Sequence, residues 1–304
     1  MRKEKTGVYF AVALFLGIFL IASVSAGFFD FFKITGKATA QPTNVSVTIT
    51  GINIASIIFV SAISTGPVEA TYRAVYFNAT LYDQDGFTDI NFSSVNANFT
   101  KSGGGEARKS TTCLNSVNYS TYYANFSCTI QMWYWDANAV WNVSVAGTDL
   151  GNKTLVYNST TSFTYNLLQA MVISPSTLTW SALSTGATNQ TSNNDPTAIN
   201  NTGNYNSTIK VTAIDLFGES NPLSMIGVSN FTTSKNDGTV CASGTVLVNS
   251  TATTISGVDA NRGNLSAGSG AGQSNLYYCI PLVPNVPSQV YSTQLGGNWT
   301  IAYA

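Results

Sequence analysis

The stretch Tyr-Asp-Gln-Asp-Gly-Phe-Thr-Asp at residues 82–89 places Asp83, Asp85 and Asp89 within seven positions. Carboxylates so close together supply the hard oxygen ligands that Ca²⁺ takes from a flexible loop. The spacing is not that of an EF-hand: Gly86 falls too early, and Ser94 stands where the twelfth-position Glu belongs. The same residues read as a hairpin turn, because Asp-Gly between alternating strands supplies the positive-φ geometry a tight turn needs. The turn is the preferred reading, and calcium is the one cofactor the sequence suggests.

A second candidate is aromatic. Met132 to Trp141 holds Trp133, Tyr134, Trp135 and Trp141. Strand alternation puts Trp133 and Trp135 on a core face, makes Trp141 a core anchor on the next strand and leaves Tyr134 exposed. Tyr134, together with Tyr122 and Tyr123, is the expected contact surface for a sugar or a protein partner. Enzymatic chemistry is poorly served. The chain has no histidine, so neither a Ser-His-Asp nor a Cys-His arrangement can form. Past the first 26 residues the only glutamates are Glu69, Glu106 and Glu219, a thin supply for the paired carboxylates of a glycosidase. Glu106 lies in Lys-Ser-Gly-Gly-Gly-Glu-Ala-Arg-Lys-Ser, which reads as a solvated loop tip, and a Gly run without a following helix is no phosphate cradle. No enzyme is expected.

Two residue types define chemistry of another kind. Asn-x-Ser/Thr triplets occur at Asn44, Asn78, Asn91, Asn98, Asn118, Asn125, Asn142, Asn152, Asn158, Asn189, Asn200, Asn206, Asn230, Asn249, Asn264 and Asn298. Random placement of the chain's Asn, Ser and Thr would give roughly seven or eight such acceptor triplets, so the sixteen are about a twofold excess. On five expected strands the acceptor Asn (Asn44, Asn78, Asn142, Asn206, Asn298) falls opposite the apolar face. The four cysteines, Cys113, Cys128, Cys241 and Cys279, read as two disulfides of an exported chain. Of the three possible pairings, Cys113–Cys128 and Cys241–Cys279 keep each bond within one expected domain. Zinc is disfavoured, because there is no histidine and no C-x-x-C pair.

The elements that position these residues follow from composition and pattern. Charged residues make up only 9% of the 304, and the 13 basic and 14 acidic side chains nearly cancel. That leaves no electrostatic footprint for nucleic acid. Hydrophobic residues at 44% are enough for real cores. Residues 1–26 read as a signal peptide: a basic start, a long apolar run, and small residues before Gly27. An uncleaved membrane anchor is the alternative. Residues 27–42 read as a linker. From residue 43 the chain shows period-two runs rich in Val, Ile, Thr, Tyr and Phe, broken by Gly, Asn, Asp and Pro, which is the pattern of an all-β chain of short strands. A boundary is expected near residue 166, giving sandwich domains at 43–165 and 166–304.

Specific motifs carry a resemblance. "VYFNATLYDQDGFTDINFSSVNANF" followed by "VWNVSVAGTDLGNKT" resembles the immunoglobulin-like or cadherin-like modules of secreted archaeal surface proteins. "NDPTAINNTGNYNSTIKVTAIDL" and "VPNVPSQVYSTQL" are similar to β-sandwich modules of archaeal S-layer-associated proteins, and "FFKITGKA" resembles the start of exported proteins of small-genome archaea. The resemblance implies two tandem immunoglobulin-like β-sandwiches and a cell-surface location, without an activity. The expected protein is a secreted, N-glycosylated structural component of the cell envelope, with glycan standing where charge normally does. Its partners would be other surface proteins or glycans, and the membrane only through the N-terminal segment. An adhesin and an extracellular filament or lattice subunit are the alternatives.

Overall fold

The computed structural model describes residues 66–110, 113–118, 120–151, 154–267 and 271–304. The expected leader, the linker and the strand around Asn44 lie outside them. Among the described residues no helix is long and apolar enough to cross a membrane. The described residues are all-β apart from one short helix, α1 (Asp237–Ser243), and a few 3-10 turns.

The described residues of the first half form seven strands: β1 (Tyr72–Tyr82), β2 (Ile90–Lys101), β3 (Ala107–Lys109), β4 (Cys113–Asn118), β5 (Tyr123–Trp133), β6 (Val140–Asp149) and β7 (Thr154–Thr164). They form two antiparallel sheets, β1-β5-β4 and β3-β2-β6-β7. Alternation explains the sandwich-like packing. Val75, Phe77, Ala79 and Leu81 point inward from β1, as do Trp141, Val143 and Val145 from β6, while Asn78 and Asn142 point out. Phe77 meets Phe99 at 5.3 Å, and Phe99 meets Phe163 edge-on at 4.8 Å. Trp141 is the expected anchor, fully buried, with its indole N–H donating to the Ala137 carbonyl at 3.0 Å. The Asp-Gly turn after β1 is not a hairpin. It carries the chain from β1 in one sheet to β2 in the other, because the neighbour of β1 is β5, supplied from forty residues downstream.

The second half is built from shorter pieces: β8 (Met171–Ser174), β9 (Thr188–Thr191), β10 (Thr197–Asn201), β11 (Ser207–Thr212), β12 (Leu216–Gly218), β13 (Met225–Ile226), β14 (Thr232–Ser234), β15 (Thr245–Val246), β16 (Thr253–Ala260), β17 (Gln273–Leu282), β18 (Tyr291–Ser292) and β19 (Thr300–Tyr303). One sheet runs β15-β14-β17-β10-β8 with β9 also on β17. A second is β16-β11-β19, and a small third is β13-β12-β18. Between the first two lies a core of Ile199, Ile209, Val211, Phe231, Leu276 and Tyr278, among others. Trp180 and Trp299 pack edge-on against Phe231 at 5.4 and 5.1 Å. The stretch "GTVLVNSTAT", which reads as a strand, contributes only the two-residue β15 before β16 begins. Helix α1 directly precedes it, and the Cys241–Cys279 disulfide ties that helix to β17.

The two cores lie in one compact unit, joined by a dense polar seam. Asn204 is 1% exposed. Its Nδ2 donates to the carbonyls of Asp136 and Asn166, each at 3.0 Å, and its Oδ1 accepts from Leu168 N at 2.7 Å. Gly203 beside it has no room for a side chain, since a Cβ would run into the Leu168 carbonyl oxygen. Thr202 Oγ1 donates to Glu69 at 2.7 Å. Arg262 reaches across to Glu106 Oε1 at 2.5 Å and to the Trp135 carbonyl at 2.6 Å. The Gly-rich stretch is therefore only partly a solvated loop tip. Residues 102–105 are exposed, but Glu106 and Arg108 turn back to hold the seam, with Arg108 paired to the buried Asp136. Burial pushes the Glu106 carboxyl up, yet the Arg262 guanidinium and the Ala137 N–H hold it below its usual range.

Candidate functional site

Two sequence candidates meet at one end of the β1-β5-β4 sheet. The acidic turn leaves β1 at Asp83, and the segment entering β5 docks onto it: Asp83 N donates to the Tyr122 carbonyl and Phe87 N to the Thr121 carbonyl, both at 2.9 Å. Gly86, at φ 114°, provides the backbone conformation that an L-residue resists. The turn gathers Asp83, Asp85 and Asp89 so that one carboxylate oxygen from each lies within 4.8 Å of the others. Asp83 is fully buried, and its Oδ1 accepts from Asp85 N at 2.8 Å.

A fourth acid, Asp149, 60 residues further on, is not one of that cluster but lies near enough for its charge to act on Asp83. It pairs with Ile90 across β2 and β6, is 3% exposed, and adds its charge to the field on Asp83. Burial raises the Asp83 carboxyl above the ordinary carboxylate range; the Asp85 N–H pulls it back, while Asp89, Asp85 and Asp149 push it further up. Such an arrangement of hard oxygens, partly buried and mutually repelling, has the donor chemistry of a Ca²⁺ site. Sequence spacing could not reveal Asp149. Its only local signal is the Asp-x-Gly turn at 149–151.

Beside the turn, Tyr82 packs on Tyr123 at 5.0 Å and on Tyr122 at 6.2 Å. Tyr122 is exposed and Tyr123 half-buried, so these two of the three expected contact residues share a surface. Tyr134 does not join them. It is 4% exposed at the opposite end of β5, where its hydroxyl accepts from Leu265 N at 3.1 Å in the seam. The expectation of an exposed Tyr134 fails because β5 buries its even-numbered side chains, Ala124 to Met132, and Tyr134, just past the strand's end at Trp133, keeps that inward phase while Trp133 and Trp135 take the outer one. The chain turns there, with Asp136 N donating to the Trp133 carbonyl. Trp133 and Trp135 are half-buried and stack on each other at 4.6 Å instead of filling the core. Tyr76, exposed in the middle of β1, is an aromatic contact that the sequence reading passed over.

Both expected disulfides form: Cys113–Cys128 joins the neighbouring strands β4 and β5, and Cys241–Cys279 joins α1 to β17. Of the sequon asparagines, Asn78, Asn142, Asn189, Asn206, Asn249 and Asn298 are exposed. Asn91, Asn98, Asn125, Asn200, Asn230 and Asn264 are half-buried. Asn44, Asn152 and the side chains of Asn118 and Asn158 lie outside the described residues. No family model matches the chain, and neither a curated protein nor a solved structure matches it.

Proposed function

We propose that this chain is an exported, N-glycosylated structural protein of the cell surface, built on immunoglobulin-like sandwiches and stapled by disulfides. The observation that carries this reading is where the acceptor asparagines sit. Asn78 and Asn142 occupy outward positions between buried apolar neighbours, Phe77 and Ala79 on β1 and Trp141 and Val143 on β6, and Asn206 and Asn298 are exposed beside the strands they precede. A sheet that meets water ordinarily carries charge on such positions. Here, in a chain with 9% charged residues, they carry glycan acceptors. Two disulfides with no free cysteine among the described residues fit an oxidising compartment.

The connectivity of the first half supports the immunoglobulin-like part of the reading. Its orders β4-β5-β1 and β3-β2-β6-β7 correspond to D-E-B and C′-C-F-G of that sandwich. One departure is that Cys113–Cys128 links neighbours in one sheet, where antibody domains link the two sheets. The work such a protein does is mechanical and steric: rigid modules present a glycan cover and block sheet-edge pairing between molecules. An adhesive role is the second reading, favoured by the exposed Tyr122 and half-buried Tyr123 beside the acidic turn.

The test is the intact mass of protein from its native cells, before and after deglycosylation. A mass several kilodaltons above the chain beginning at Gly27 is expected, and it should collapse on deglycosylation. A bare mass equal to the full chain would sink the reading.

A further inference from the structure

We propose that four sequons of the first half, at Asn78, Asn98, Asn125 and Asn142, are glycosylated before their strands pair, and that pairing then closes them to any later transfer. The inference rests on the glycoprotein reading above and adds an order of events to it.

N-glycosyl transfer needs two groups from a sequon: the carboxamide nitrogen, and the hydroxyl two residues on, which defines the acceptor. In the reaction Asn Nδ2 forms a bond to C1 of the sugar, and the bond from C1 to the oxygen of a lipid-linked phosphate carrier breaks. The phosphate leaves with the electron pair, and one amide proton passes to a base of the transferase. On a strand, residues i and i+2 share a face, so both groups of a sequon must be open on the same side at once.

In the β1–β5 pair they are not. The register sets Asn78 opposite Ser127 and Thr80 opposite Asn125, so two sequons lie head to tail across the ladder. The hydroxyl of each donates to the carboxamide oxygen of the other: Ser127 Oγ to Asn78 Oδ1 at 2.9 Å, and Thr80 Oγ1 to Asn125 Oδ1 at 2.5 Å. Asn78 is exposed, but its partner hydroxyl on Thr80 is 7% exposed. Ser127 is exposed, but Asn125 is half-buried. Each sequon thus keeps one required group open while the other is buried or half-buried, and both hydroxyls are engaged by the opposite carboxamide.

The opposite sheet repeats the arrangement. Asn98 pairs with Ser144 and Thr100 with Asn142 across β2 and β6. There Asn142 is exposed while Ser144 is half-buried, and Asn98 Oδ1 is buried without a hydrogen-bond partner. By contrast Asn189 with Thr191, and Asn298 with Thr300, are exposed at both positions and face no second sequon.

Chain order supplies the opportunity. Ser127 follows Asn78 by 49 residues, which at about 5–20 residues per second leaves roughly 2–10 s in which Asn78 is unpaired during synthesis. Asn125 has only the shorter interval before β5 docks, so its occupancy should be the lower of the two.

The decisive experiment uses the full chain made without glycosylation. It is exposed, disulfides intact or reduced and unfolded, to a purified oligosaccharyltransferase with lipid-linked oligosaccharide, and each sequon is followed by glycopeptide mass spectrometry. In the folded protein Asn189 and Asn298 should be labelled, and Asn78, Asn98, Asn125 and Asn142 at least about tenfold more slowly. Unfolding should abolish that difference. Labelling of Asn78 or Asn125 as fast as Asn298 in the folded protein would overturn the inference. So would an Asn189 as refractory as Asn78, since strand conformation alone would then account for the block. Protein from native cells separates the two levels: bare at every sequon, it defeats the glycoprotein reading itself; bare at Asn78 but occupied at Asn298, it defeats only the proposed order.

Discussion

The two halves of the molecule satisfy their backbones by different means. In the first half five of the seven strands run ten to twelve residues, and ladder hydrogen bonds account for most of the main chain. In the second half only β16 and β17 exceed six residues, and short polar side chains take over. Asp215 Oδ1 accepts from Val228 N at 2.7 Å, Asn201 Nδ2 donates to the Tyr205 carbonyl at 2.6 Å, and Thr232 Oγ1 donates to the Val240 carbonyl at 2.6 Å. Buried main-chain groups must be paired, and Asn, Asp, Ser and Thr are the side chains short enough to do it locally. The abundance of these residues therefore has two causes. On the first half's outward faces they take the positions that meet solvent, and in the second half they replace missing ladder.

The sharpest way to break the comparison is to cut the seam. Asn204→Ala leaves the carbonyls of Asp136 and Asn166 and the N–H of Leu168 without their partner. A loss of about 3 kcal/mol is expected from three buried groups left unsatisfied. Urea unfolding should then resolve two transitions, one per core. A single transition at the wild-type midpoint would show that the halves are held together some other way.

A smaller effect separates the halves by pH. Asp195, in the second half, accepts from Tyr278 N at 2.9 Å through one oxygen, while its other oxygen is buried without a partner. Burial, followed by the charge of Asp237, raises its pKa from 3.8 to about 6. A folded-state pKa above the unfolded one means that the fold favours the protonated acid. Stability should therefore fall as pH rises from 3.8 through about 6, and stay lower above that. Asp195→Asn should flatten this slope and raise stability near neutral pH by on the order of 2 kcal/mol. An unchanged profile would mean that the carboxylate finds compensation elsewhere.

The smallest expected effect belongs to the first half. Calcium at ten times its dissociation constant should stabilise by about 1.4 kcal/mol, seen as a higher melting temperature that a chelator reverses. Asp83→Asn should abolish the response. In the Asn204→Ala background only the transition of the first core should move. No shift with calcium in the wild-type protein would leave the acidic turn as a turn alone.

Much of this was legible in advance, for reasons that depend on range. Alternation in "RAVYFNATLY" and "WNVSV" identified β1 and β6 and the side chains they bury, because strand periodicity is a local property. The cysteine pairing followed from keeping each bond within its own half. Trp133, Tyr134 and Trp135 were misread because alternation separates two faces without saying which is the core; β5 buries its even-numbered side chains, and Tyr134 keeps that phase. The Asp-Gly turn was recognised as a turn but assigned the wrong task, since turn chemistry does not say which strand is the neighbour.

The sequence by itself determined the all-β class, the outward placement of Asn78 and Asn142, and the two disulfides. Each depends on residue type and spacing along one stretch of chain. Only the tertiary structure decided that Asp149 lies near Asp83, that Asn204 and Arg262 bind the halves into one unit, and that two pairs of sequons lie head to tail. Those facts depend on strand register and on contacts between residues up to 156 positions apart, which are set by the whole core closing at once rather than by any local pattern.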